Sequence, residues 1–120
     1  MDKKLLIVDD SAVARMALKV LFNKHYPSVT ILLAENTAQA MNILKEQQFH
    51  LISVDYNMPD QNGLELGMQI RAIDSKTPIV LLTANIQNAI KEKATDQGFH
   101  FIEKPITEKT LTQIISFVND

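Results

Sequence analysis

The stretch LISVDYNMPD (Leu51–Asp60) decides how the chain is read. An apolar run stops at Asp55, and Pro59 turns the chain away soon after. A run without polar alternation suits a strand buried on both faces, as in a parallel sheet covered by helices. Such a strand ordinarily gives way to something neutral, so a carboxylate at its end asks for a chemical reason.

The same kind of run recurs on either side. KLLIVDD (Lys4–Asp10), VTILLA (Val29–Ala34), PIVLLT (Pro78–Thr83) and the weaker FHFIE (Phe99–Glu103) join HLISV (His50–Val54) to make five. Five segments of helical spacing alternate with them. SAVARMALKVLFNKHY carries a stripe of Ala14, Ala17, Leu18 and Leu21, with Ser11 as N-cap and Pro27 as stop. NTAQAMNILKEQQ turns Ala40, Met41 and Leu44 inward, and NGLELGMQIRAI offers Leu64, Met68 and Ile70 or Arg71, although Gly67 weakens it. IQNAIKEKATDQ is polar on its outer face (Gln87, Asn88, Lys91, Glu92, Thr95), and Gly98 supplies the residue that ends it. TEKTLTQIISFV aligns Leu111, Ile114, Ile115 and Val118, leaving Phe117 off the stripe, with partial burial preferred over an exposed contact. Met1 to Lys4 are expected to fray. Alternating strands and helices predict an α/β fold, a doubly wound parallel sheet with right-handed crossovers. The pattern predicts a single domain over residues 1–120, and no linker, repeat or output domain is expected within them.

Composition removes several function classes. A chain of 120 residues can hold a core without metal or disulfide staples. A net charge of −2 offers no basic face for nucleic acid or an anionic membrane. The absence of cysteine rules out disulfides, thiol catalysis and thiolate metal sites. Runs such as LLIV and IVLL fall far short of the roughly 18 residues of a membrane span. MDKKLLIVDD is too short and acidic for a secretory signal, so a cytoplasmic location is the expectation. His25, His50 and His100 show no metal-ligand spacing.

In open α/β sheets, ligands bind beyond the carboxyl ends of the strands. There the first run delivers Asp9 and Asp10, the third Asp55, the fourth Thr83, and the fifth Lys104 and Pro105. A lone acid after a strand is commonplace, and helix capping would account for Asp9, Asp10 or Ser11 singly. Polar groups at the same register of four strand ends call for one explanation. Three converging carboxylates repel, and a divalent cation relieves the repulsion. An all-oxygen donor set favours Mg²⁺, which keeps several waters and accepts phosphate oxygens as partners. Thr83 and Lys104 then face an anion as a hydroxyl donor and a positive charge, which together describe a phosphoryl site. Neither a G-x-G-x-x-G nor a G-K-[ST] nucleotide motif is present.

IVDDS, DYNMPDQNGLEL, LLTA and FIEKP, in this order and spacing over essentially the whole chain, resemble the receiver domains of two-component response regulators. The run from Asp55 to Leu66 is most similar to free-standing chemotaxis regulators. The resemblance implies a flavodoxin-like sheet of five strands in the order 2-1-3-4-5 with five helices. It implies Asp55 as phosphoacceptor, served by a histidine kinase or phosphotransfer protein. Mg²⁺ would be held by Asp10, Asp55 and the backbone carbonyl of Asn57, with Asp9 acting through water. Thr83 and Lys104 would engage the phosphoryl group, the Lys104–Pro105 bond would be cis, and Phe101 would be the aromatic switch. Asn57 and Asn85 would flank the phosphoryl group and set its lifetime. A downstream protein would bind the fourth helix, fifth strand and fifth helix of a monomer or weak dimer. Such a protein is a signalling switch rather than an enzyme, catalysing only its own phosphotransfer and dephosphorylation.

Some positions depart from that pattern. Phe101 stands where chemotaxis regulators often carry Tyr, and Asn85 replaces an acid, although it could equally cap the fourth helix. Tyr56 is placed to shield one side of the cleft. Three other readings remain: a receiver excised from a longer regulator, a phosphorylation-independent scaffold, and a magnesium phosphohydrolase with an aspartyl-phosphate intermediate. The last is disfavoured because Asn57 stands where such enzymes often carry a second acid.

Overall fold

The computed structural model describes residues 2–84 and 88–118, so Asn85, Gln87 and the terminal Asp120 lie outside the described residues. In chain order the elements are β1 Lys4–Val8, α1 Ala12–His25, β2 Thr30–Ala34, α2 Thr37–Glu46, β3 Leu51–Asp55, α3 Gly63–Ile73, β4 Ile79–Thr83, α4 Asn88–Asp96, β5 His100–Glu103 and α5 Glu108–Ser116. All strand pairs are parallel, and the sheet runs β2-β1-β3-β4-β5. This is the flavodoxin-like order that the resemblance implied.

Alternation along each strand divides the core into two layers. Leu6 and Val8 of β1, Ile52 and Val54 of β3, and Ile79 and Leu81 of β4 face α2, α3 and α4, packing with Ala40, Leu66, Ile70 and Ala94. Leu5, Ile7, Leu51, Val80, Leu82 and Ile102 face the other way, against Leu18 and Phe22 of α1 and Leu111 and Ile114 of α5. The central strands are therefore apolar on both faces, whereas the edge strands β2 and β5 are only partly buried.

Local chemistry fixes the helix ends. Ser11, Asn36, Asn62 and Thr107 each cap a helix by accepting a backbone N–H, which would otherwise lack a partner. Asn62 and Glu65 complete a reciprocal capping box on α3. Gly98, after α4, has φ +80°, the left-handed conformation that glycine adopts without penalty.

Three details differ from the sequence reading. The inward line of α1 runs through Leu18 and Phe22, and Ala17 is exposed. On α3, Ile70 is buried as expected, but Met68 is 47% exposed, and Gly63, Leu66 and Gly67 are buried instead. The cause is Gly67: a Cβ there would lie 2.8 Å from the Phe99 ring, so the helix packs at a position with no side chain to reveal it. Lys4 is not frayed, because it pairs with Thr30 and its N–H donates to His50 Nδ1 at 3.0 Å. Phe117 is half-buried, as the preferred of its two readings had it, and stacks on His100 with ring centres 3.8 Å apart.

Candidate functional site

The strand order places β1 and β3 side by side where the chain reverses its direction of winding, and a crevice opens beyond their carboxyl ends. Val8 is the last residue of β1. Asp9 follows, with its N–H donating to the Ala34 carbonyl at 3.1 Å. Asp55 is the last residue of β3, and its neighbour across the ladder is Leu82. Asp9 is 5% exposed, Asp55 6% and Thr83 1%, whereas Asp10 and Asn57 are open to solvent.

Carboxylate oxygens of Asp9, Asp10 and Asp55 all lie within 4.8 Å of one another. Lys104 reaches into this cluster from the end of β5. Its ammonium sits 3.2 Å from Asp55 Oδ1 and 3.4 Å from Asp9 Oδ2. The second oxygen of Asp9 accepts the Ser11 N–H at 2.9 Å. Lys104 is positioned by its backbone, whose N–H donates to the Thr83 carbonyl at 2.7 Å, and the peptide to Pro105 is cis.

One ammonium thus serves two buried acids. Burial first, then the neighbouring Asp9 charge, pushes the Asp55 carboxyl above the usual carboxylate range, and Lys104 and the Asn57 N–H pull it only part of the way back. For Lys104, burial works against the charge, but Asp55 and Asp9 outweigh it and hold the ammonium firmly protonated. The cluster therefore carries negative charge that the chain's own cation does not balance. Three hard oxygen donors with such an excess fit a small divalent cation, and Asp10, exposed at the rim, leaves room for metal-bound water.

The floor of the site is set by α3. A Cβ on Gly63 would lie 2.7 Å from the Asp55 carbonyl oxygen and 2.9 Å from Tyr56 Cα, so the start of this helix presses on the Asp55 backbone. Gly63 N–H donates to the Tyr56 carbonyl at 2.8 Å, and Tyr56 N–H to that of Leu82 at 2.8 Å. Asp60, which the sequence left without a role, ties the β3–α3 loop to the start of α2 by accepting the Thr37 N–H at 3.3 Å.

Thr83 and Phe101 lie on one face of the sheet. Leu81 pairs with Phe101 and Thr83 with Glu103, so the two residues are diagonal neighbours across adjacent strands. Phe101 is half-buried against the layer covered by α2, α3 and α4. Every expected site residue among the described ones therefore falls at one end of the sheet or directly beneath it. Sequence reasoning missed Gly63, whose only signal is a glycine at a helix start. It also missed Arg15, which donates to the Asp9 carbonyl at 2.7 Å.

Comparison with known proteins agrees with this geometry. A sequence profile of the "Response regulator receiver domain" matches residues 5–116. The chain is 34% identical over 118 residues to the transcriptional regulatory protein LytR of Staphylococcus aureus, covering 96% of this chain and 46% of LytR. It is 32% identical over 117 residues to the chemotaxis protein CheY of Bacillus subtilis, covering 97% of each. The chain thus spans about half the length of the LytR relatives and nearly all of CheY. Among solved structures, Vibrio cholerae CheY4 superposes with a TM-score of 0.89 at 24% identity, over 99% of this chain and 100% of that one. The response regulator TrrA of Thermotoga maritima, in complex with Mg²⁺-BeF, superposes with a TM-score of 0.85 at 24% identity, over 97% and 99%. Fold, acidic crevice and sequence agree, and the chain belongs to the receiver domain family of two-component response regulators.

Proposed function

We propose that the protein is a phosphorylation-activated switch that accepts a phosphoryl group on Asp55 from the phosphohistidine of a histidine kinase or phosphotransfer protein. The observation that carries this reading is the Lys104 ammonium, held 3.2 Å from Asp55 and 3.4 Å from Asp9 within a three-carboxylate cluster. An Asp55 oxygen forms the new O–P bond as the donor's N–P bond breaks, and the electron pair leaves with the imidazole. Lys104 neutralises charge on the transferring oxygens, and Thr83 donates its hydroxyl to one of them. Asp10, Asp55 and the Asn57 carbonyl would hold Mg²⁺, with Asp9 acting through water because Ser11 and Lys104 already engage its oxygens. When bound, the ion supplies the positive charge that the cluster lacks and offsets charge on the phosphoryl oxygens.

The output follows from the sheet. Drawing Thr83 toward the phosphoryl group vacates space beside it, and Phe101, its diagonal neighbour, turns into that space. The phosphoryl group biases an equilibrium between two packed arrangements. The surface of α4, β5 and α5 reports the change to a downstream protein. Asn57 and Asn85 control water access to phosphorus and hence the lifetime of the signal. The donor docks on α1, where Val13, Met16 and Val20 form an exposed apolar stripe on the helix that starts just after Asp9 and Asp10.

The test is incubation with Mg²⁺ and acetyl phosphate, read by intact mass. One phosphoryl group per chain is expected in the wild type and none in Asp55→Ala. A wild type that takes up none would overturn the proposal.

A further inference from the structure

Arg15 is not one of the three clustered carboxylates or their ammonium, yet it grips the backbone on which two of the acids stand. Its guanidinium donates to the Asp9 carbonyl at 2.7 Å and lies 3.7 Å from the Glu35 carboxylate. The side chain is only 14% exposed. The ladder between β1 and β2 ends at the Val8 and Ala34 pair. The Asp9 carbonyl lies beyond that last pair, on a buried residue, where an unmatched acceptor is costly. Arg15 supplies the missing donor.

The far end of the tether is anchored as well. Glu35 is held at the start of α2 by Gln39, whose amide donates to Glu35 Oε1 at 3.2 Å and whose carbonyl accepts the Glu35 N–H at 2.9 Å. The Asp9–Asp10 peptide is therefore strung between α1 and the β2–α2 loop. The rigid guanidinium fork fixes both contacts in one geometry, whereas a lysine ammonium is a point charge on a flexible stem.

We infer that Arg15 is a positioning residue for the divalent cation: by fixing the Asp9–Asp10 peptide it aims the exposed Asp10 carboxylate into the cluster. This rests on the magnesium reading of the site. Two physical effects of Arg15 oppose each other, which makes the inference testable by sign. As a bare positive charge near three carboxylates it weakens cation binding, so its removal would tighten binding. As a tether it holds the outermost ligand in place, so its removal loosens binding. Loss of such an outer partner typically costs about 10–100-fold in metal affinity.

The experiment is a Mg²⁺ titration by calorimetry on the intact protein, comparing wild type with Arg15→Met, Arg15→Lys and Glu35→Gln. The expected result is a dissociation constant raised about 10-fold or more in both Arg15 variants, with a smaller rise in Glu35→Gln. Saturating Mg²⁺ should then restore labelling of Asp55 by acetyl phosphate, which a misfolded site would not allow. The inference is overturned if Arg15→Met binds Mg²⁺ equally or more tightly, or if Arg15→Lys keeps wild-type affinity. Should Arg15→Met fail to fold, Arg15→Lys decides, and unchanged affinity there overturns the inference. A wild type that binds no Mg²⁺ overturns the magnesium reading itself, whereas wild-type binding with unaffected variants overturns only the role of Arg15.

Discussion

As the proposed phosphoacceptor, Asp55 would meet two opposing demands, being buried enough to exclude water from a reactive bond yet charged enough to attack phosphorus. Burial and Asp9 raise its pKa, so folding favours the protonated carboxyl over the charged one. Between the unfolded value and the raised folded value, the folded state holds more protons, and stability falls as pH rises through that window. Asp55→Asn mimics the protonated form. In metal-free buffer it should therefore melt above the wild type at neutral pH, and the gap should close as pH drops below the usual carboxylate range. Thermal melts across that range check both the sign and the closure. The acids, Thr83 and Lys104 that gather at the crevice were legible in sequence because each sits at or just past the end of a recognisable apolar run. Arg15 was not, because its partner is a main-chain carbonyl, and nothing in a sequence reports where a backbone acceptor is left without a ladder.

Helix α3 shows how an element can serve the site without contributing a reacting group. Its first residue, Gly63, lies against the Asp55 backbone, which cannot yield as a flexible side chain would. Gly63→Ala should cost about 1–3 kcal/mol, the usual penalty for overpacking, and should lower the rate of Asp55 phosphorylation as the nucleophile shifts. Asn62→Ala removes the cap from the same helix end and should cost about 1 kcal/mol with a smaller effect on the rate. Chemical denaturation paired with acetyl phosphate kinetics separates the two outcomes. The same helix marks where periodicity misled. Met68 fits an apolar stripe, but the buried line runs through glycines that add no hydrophobicity to the pattern. Strands were read within about a residue at their ends, because a run covered on both faces needs no phase to be recognised. On helices, the inward face depends on which neighbour lies opposite, and Phe99 opposite Gly67 is a contact between separate elements.

Across the molecule, the two layers hold the sheet, and the sheet holds the charges at one edge. Among the described residues no helix is long and apolar enough to cross a membrane. A cation bound only by the folded state stabilises it by an amount that grows with the logarithm of its concentration above the dissociation constant. Mg²⁺ at about 100 times its dissociation constant should add about 2.7 kcal/mol to unfolding, and the gain should shrink when Asp10 or Asp55 is neutralised. The α1 surface makes a separate demand. Met16→Glu should slow phosphotransfer from a protein donor and leave labelling by acetyl phosphate unchanged, which parallel assays with the two donors would read. All of this converges on the identity of the phosphorylated atom. The most direct measurement is borohydride reduction of the protein after treatment with Mg²⁺ and acetyl phosphate, followed by peptide mass spectrometry. An acyl phosphate is reduced to an alcohol, so homoserine should replace aspartate at position 55 and at no other acid. Homoserine at Asp9, Asp10 or Asp60, or at none, would contradict the assignment of Asp55 as the phosphoacceptor.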